Sequence, residues 1–286
     1  MTTPSDRSPL VAAPALHALL GTPGLIVVDC RYELGNAAWG RSVYAKDHIP
    51  GALFASMDED LAGPRHAGSG RHPLPTAAAF AATLGRWGVT ATSQVVAYDQ
   101  GNGACAARLW WMLRAVGHRS VQVLDGGYAA WLAAGYGSDT AVPQPAPAAV
   151  PEREFAGVLS TEEVVAGLAA HDITLVDARG ADRFAGRNET IDPVAGHVPG
   201  AVNHPFAGNL TPALQFLDQE TLRQRWAHVL EQPALAPVVA MCGSGITGCH
   251  NLLALELAGY RGGRLYAGSF SEWITDPARP VATGEA

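Results

Sequence analysis

The feature that most constrains this chain of 286 residues is that its two halves repeat each other. Leu25-Ile-Val-Val-Asp-Cys-Arg31 corresponds to Ile173-Thr-Leu-Val-Asp-Ala-Arg179, and Asp47-His-Ile-Pro-Gly-Ala52 to Gly196-His-Val-Pro-Gly-Ala201. Val95-Val-Ala-Tyr-Asp99 corresponds to Val238-Val-Ala-Met-Cys242. Val123-Leu-Asp-Gly-Gly-Tyr-Ala-Ala-Trp131 corresponds, shifted by one position, to Arg264-Leu-Tyr-Ala-Gly-Ser-Phe-Ser-Glu-Trp273. Four matches in the same order imply two copies of one domain. A period this long means tandem domains rather than a solenoid, and the length suits two ordinary cores.

The boundary is legible. Pro143, Pro145, Pro147 and Pro151 stand among alanines, which makes a semi-rigid, extended linker. We therefore expect an N-terminal domain over 1–140, a linker over 141–157 and a C-terminal domain over 158–286. Within each half, short β-branched runs alternate with Ala- and Leu-rich amphipathic runs. That alternation predicts an α/β fold, each copy a mostly parallel sheet with helices on both faces. Ligands of such sheets bind beyond the carboxyl ends of the strands, so the loops after Ala97 and Ala240 are the places to look.

The two loops differ in chemistry. Val238 to Met241 is an apolar run that ends in Cys242, followed by Gly243-Ser244-Gly245-Ile246-Thr247-Gly248 and a helical pattern. Strand, tight loop, helix puts one thiol at a helix N-terminus, where backbone N–H groups and the helix dipole stabilise an anion. A cysteine so placed is expected to be a nucleophilic thiolate. The first half carries Asp99 at the equivalent position, so a single active site is expected, in the C-terminal domain. Ser244 and Thr247 add hydroxyl donors, which also suit helix capping.

Composition excludes other classes. A net charge of −7 gives no electrostatic footprint for nucleic acid or anionic membrane. Four cysteines make no disulfide framework. Cys30 and Cys105 read as core residues, and Cys249 as either a resolving thiol or a small packing residue. No pair has C-x-x-C spacing, so no structural metal is expected. Met1 to Pro9 is polar, and no run approaches the roughly 18 to 20 apolar residues of a membrane span. The expectation is a cytoplasmic protein.

These residues together resemble the tandem-domain rhodanese-type sulfurtransferases. The resemblance rests on the duplicated His-(Ile/Val)-Pro-Gly-Ala box, Cys242-Gly-Ser-Gly-Ile-Thr247, Arg71-His-Pro-Leu-Pro75, Asp125-Gly-Gly-Tyr-Ala-Ala-Trp131 and Gly268-Ser-Phe-Ser-Glu-Trp273, and covers essentially the whole chain. The uncharged loop is similar to that of the mercaptopyruvate branch, whereas the animal thiosulfate branch tends to carry basic residues there. The resemblance implies that Cys242 takes sulfur from a small anionic donor, 3-mercaptopyruvate or alternatively thiosulfate. The resulting persulfide would then yield its sulfur to cyanide, a thiol or a thioredoxin-like protein. This is double-displacement covalent catalysis that needs no cofactor and no metal.

By the same resemblance Arg183 is the donor-binding arginine, since guanidinium grips a carboxylate bidentately. Arg179 is a further candidate that also reads as a structural anchor. A second arginine is expected a little further along, where the segment Gly186 to Pro193 offers only Arg187. His48 matches a histidine that forms a proton relay with a loop serine, here Ser244. A matching carboxylate is absent from Ala37 to Gly40, and His197, in the equivalent box, suggests a structural role for both histidines. A phosphatase of related architecture would need Cys-x5-Arg, but Gly248 stands at the arginine position. A third class, a persulfide-binding module without turnover, would fit the first half alone.

Overall fold

The computed structural model describes residues 8–230 and 236–285. The polar N-terminus of the sequence reading lies largely outside them. Two compact units divide the chain: Met1–Gly63 with Leu74–Ala156 and Pro212–Gln215, and Pro64–Pro73 with Gly157–Thr211 and Phe216–Ala286. Residues 141–156 group with the first unit. There Ala148 donates its N–H to Gly85, and Phe155 packs against Phe80 and Trp111.

The first unit is built on β1 (Leu10–Val11), β2 (Leu25–Asp29), β3 (Leu53–Phe54), β4 (Gln94–Tyr98) and β5 (Val121–Leu124). They pair in the order β1-β5-β4-β2-β3, every pair parallel. Val95 to Tyr98 are fully buried, as a central parallel strand covered on both faces requires. Helices α1 (Ala13–Leu19), α2 (Trp39–Lys46), α3 (Ala77–Arg86), α4 (Ala104–Ala115) and α5 (Gly127–Ala133) alternate with the strands. Thr76 caps α3 by accepting the Ala79 N–H. Cys30 and Cys105 are buried, as their apolar surroundings in the sequence suggest.

The second unit repeats the plan with β6 (Thr174–Asp177), β7 (Val202–Asn203), β8 (Val238–Met241) and β9 (Arg264–Leu265), in the parallel order β7-β6-β8-β9. Its helices are α6 (Thr161–Ala170), α7 (Ala181–Phe184), α8 (Gln219–Leu230), α9 (Ile246–Leu257) and α10 (Ser269–Trp273). Ser160 and Glu163 form a reciprocal capping box at the head of α6. The strand β8 is buried along its whole length and delivers Cys242 to the base of α9. Beside it a closed polar ring fixes α9: His204 Nε2 meets Asn209 Oδ1 at 3.0 Å, Asn209 Nδ2 donates to Asn251 Oδ1, and Asn251 Nδ2 donates back to His204 O. Burial lowers the His204 pKa from 6.5 to about 4.

Symmetric details mark the repeat. Arg31 grips Asp29 and lies over the Tyr128 ring; Arg179 grips Asp177 and lies over Phe270. Trp131 donates its indole N–H to Gly137 O and Trp273 to Pro280 O, both at 2.9 Å. Among the described residues no helix is long and apolar enough to cross a membrane.

Candidate active site

Cys242 follows β8 directly and is 3% exposed. Its Sγ accepts the backbone N–H of Gly245 at 3.1 Å and of Ser244 at 3.4 Å. Two N–H groups aimed at one sulfur form an anion-binding concavity. Gly245 takes φ +80° at the N-cap of α9, a left-handed conformation that turns its N–H inward at no steric cost. Ile246 is buried in the first turn and Thr247 is half-buried beside it.

The loop is anchored from behind by Gly268–Ser271. Phe270 donates its N–H to Cys242 O and Ser271 to Gly243 O, while Ser269 Oγ accepts the Cys242 N–H and donates to Tyr266 O. Ser269 adopts φ +55°, a strained choice for a residue with a side chain. Such strain costs on the order of 1–3 kcal/mol and tends to sit where the chain holds a functional loop.

The equivalent loop of the first unit closes around a carboxyl of its own. Asp99 is fully buried, and its carboxylate accepts four backbone N–H groups, from Gly101, Gly103, Cys105 and Ala106. Burial pushes its pKa up and those donors pull it down, with burial the larger. In both copies the loop aims backbone N–H groups at the side chain that ends the strand, a carboxyl in the first and a sulfur in the second.

Arg183 stands at the end of α7 with its side chain 22% exposed. Its Nε bonds both carboxylate oxygens of Glu189 and its Nη2 bonds Asp192 at 2.9 Å. Asp192, whose side chain is fully buried, also pairs with Arg71 through its other oxygen. A Cβ built on Gly243 would lie 2.6 Å from Arg71 Nη2 and 3.7 Å from Arg183 Nη2. A side chain at position 243 would thus meet the Arg71 guanidinium. Arg179 is spent on Asp177, which it grips through Nε and Nη2, and on the Gly196 carbonyl. It is 3% exposed and serves as an anchor. Arg187 pairs with Asp182 and Glu285 and is half-exposed.

Ser244 Oγ meets a histidine, but not His48. The partner is His72, whose Nδ1 lies 2.8 Å away, both residues buried. His48 is buried in the first unit, its Nδ1 against Tyr44 O at 2.8 Å, its Nε2 against Ala141 O at 3.1 Å, and its ring stacked on Tyr44. With both nitrogens so engaged, His48 braces the turn before Pro50. His197 does the same in the second unit, with Nδ1 on Phe184 O and its ring stacked on Phe184. Cys249 points its Sγ at Gly245 O, one turn along α9.

A rhodanese-like domain pattern matches this chain twice, over residues 12–134 and 160–276. The chain belongs to the rhodanese-like family. Among curated relatives it is 48% identical, over 96% of its own length and 98% of the relative's, to a Pseudomonas aeruginosa protein named "Probable 3-mercaptopyruvate sulfurtransferase". It is 34% identical to the thiosulfate sulfurtransferase of Bos taurus, over 88% of this chain and 86% of that one. The solved 3-mercaptopyruvate sulfurtransferase of Leishmania major superposes with a TM-score of 0.81 at 30% identity, covering 94% of this chain and 75% of that one. Both rhodanese-like copies carry a loop that aims backbone N–H groups at the residue ending the strand, and at that position the second alone carries a thiol.

The Arg71-His72 pair is the part of the site that the sequence reading missed as functional. It belongs to the segment Pro64–Pro73 of the second unit, far from Cys242 in the chain. The one available signal was the motif Arg71-His-Pro-Leu-Pro75 itself, which carries no periodicity and no neighbouring nucleophile.

Proposed function

We propose that this protein is a sulfurtransferase that uses Cys242 to move a sulfane sulfur from 3-mercaptopyruvate to a thiophilic acceptor. The observation that carries the reading is the pair of backbone N–H groups on Cys242 Sγ, a built acceptor site for a thiolate and for the persulfide that replaces it. The thiolate attacks the donor sulfur. An S–S bond forms and the carbon–sulfur bond breaks, and its electron pair leaves as the enolate of pyruvate. The proton that the donor thiol gives up ends on the methyl carbon of pyruvate. An acceptor such as cyanide, a small thiol or a thioredoxin-like protein then attacks the outer sulfur and restores the thiolate.

Ser244 and His72 are suited to move that proton, because hydroxyl and imidazole already share a 2.8 Å hydrogen bond beside Sγ. Thiosulfate, the donor in the second reading, leaves as sulfite and needs no such proton. The serine–histidine pair therefore favours mercaptopyruvate. Arg183, fixed by Glu189 and Asp192, is the donor-binding cation. The chemistry needs no cofactor, and a cytoplasmic setting accords with four cysteines that are all thiols.

The test is sulfur transfer to cyanide with each donor, with Cys242→Ser as control. We expect a higher kcat/KM with mercaptopyruvate, and a protein one sulfur atom heavier by intact mass after donor treatment, lost in the variant. A thiosulfate preference would select the second reading. Activity with neither donor would leave a persulfide-binding module.

A further inference from the structure

The resemblance implies a second donor-binding arginine a few residues beyond Arg183, but Arg187 there is committed to Asp182 and Glu285. A different arginine lies at the loop. Resting on the sulfurtransferase reading, we infer that Arg71 is the second donor-binding residue, and that it grips the carboxylate of a 2-oxo acid donor together with Arg183.

Three observations converge. First, Arg71 Nη2 and Arg183 Nη1 both face the Gly243 backbone, next to the nucleophile: a Cβ built there would lie 2.6 Å from the one and 3.8 Å from the other. Among the described residues neither nitrogen has a hydrogen-bond partner. Second, both guanidinium groups are locked by the same buried carboxylate. Asp192 gives one oxygen to Arg71 and the other to Arg183, and Glu189 holds the far edge of Arg183. The lock leaves Arg71 Nη2 and Arg183 Nη1 unpaired beside the loop backbone, one N–H group from each guanidinium for the two oxygens of a carboxylate. Third, Arg71 is held there at cost. Its Nε is buried with no partner among the described residues, and its backbone N–H is tied to Ser271 Oγ. An unpartnered buried donor is expensive and calls for an acceptor delivered from outside.

Three positive charges, on Arg71, Arg179 and Arg183, are matched by Asp177, Glu189 and Asp192. The site is therefore not a general anion trap. It selects by the placement of two unpaired N–H groups, one on each arginine, which suits the two oxygens of a carboxylate.

The test uses alkylation of Cys242, so it does not depend on turnover. Bromopyruvate and bromoacetone both form an Sγ–CH2 bond with loss of bromide, but only bromopyruvate carries a carboxylate. Arg71→Gln is expected to slow bromopyruvate about tenfold, the equivalent of one charge-assisted hydrogen bond, and to leave bromoacetone within about twofold. Arg71→Lys should lose less, because it keeps the charge without the two-pronged edge, and it serves if Arg71→Gln does not fold. Adding Asp192→Asn to Arg71→Gln should not restore the bromopyruvate rate. Equal slowing of both reagents, no slowing at all, or restoration by Asp192→Asn would each overturn the assignment. A selective loss in a protein that transfers no sulfur would uphold the clamp and sink the sulfurtransferase reading.

Discussion

His72 Nδ1 lies 2.8 Å from Ser244 Oγ, across 172 positions of sequence, with both side chains buried in the second unit. The hydroxyl belongs to the loop that cups Cys242, and the imidazole comes from a segment with no regular structure. A hydrogen bond of this length between a titratable ring and a hydroxyl next to a nucleophile is the geometry of proton delivery.

Removing that pair should separate the two donors. His72→Asn and Ser244→Ala are expected to lower kcat with mercaptopyruvate by about a hundredfold, within the usual contribution of a positioned acid–base group. Thiosulfate turnover should change only a few-fold, because sulfite leaves without a proton. Steady-state assays of the two donors on each variant check this. Equal losses would mean the pair only shapes the loop.

His48 should behave differently. His48→Ala leaves the carbonyls of Tyr44 and Ala141 without their ring partners and opens a hole beside the Tyr44 ring. The expected result is a stability loss of about 2 kcal/mol or more in urea unfolding. The folded fraction should keep kcat/KM within about twofold.

Acid should weaken the second unit through His204. Its folded pKa of about 4 lies below the ordinary 6.5, because burial disfavours the imidazolium. The unfolded chain therefore binds a proton first as pH falls. The neutral histidine's contribution is fully present above pH 6.5 and is lost on the way down to pH 4. By linkage this single group removes about 2 kcal/mol by pH 5. Urea midpoints at pH 7.5 and pH 5 should drop less in His204→Gln than in the parent protein; an identical drop would refute the assignment.

Asp99→Asn tests the first loop. An amide places an NH2 among four backbone donors that now converge on two carboxylate oxygens. At least one pair of donors then faces another donor, and a cost of about 2 to 4 kcal/mol follows. Thermal unfolding of the variant measures it. Unchanged stability would show that the cradle does not need its anion.

The fold was legible because its signals are local. The apolar run Val238–Met241 ending in Cys242, and the glycine loop before α9, need only a few residues to announce strand, turn and helix. Asp99 in place of the thiol was equally plain, since the repeat aligned the two loops. The site was half legible. Cys242 and Ser244 sit in that loop, and Arg183 sits one turn beyond β6. Arg71 and His72 were not recognisable as candidate site residues, because only tertiary packing returns the Pro64–Pro73 segment to the second unit. His48 lies in a box that is duplicated, and the contacts of His48 and His197 with neighbouring carbonyls and rings accord with a turn that both copies share. Arg179 shows the same limit, since a strand-end arginine beside Asp177 looks identical in sequence whether it binds a donor or a neighbour.

Asp99 also says something about what duplication did to this chain. The first loop carries its occupant on its own backbone, present at a local concentration no solute can rival. A pocket filled that way has no cycle: nothing enters, nothing is exchanged, and the protein gains a keystone. The second loop aims its N–H groups at Cys242 Sγ, a side chain that on the proposed reading gains and loses a sulfur atom at every turnover. One cradle design thus serves twice, as a permanent fitting around Asp99 and, on the proposed reading, as a working one around Cys242.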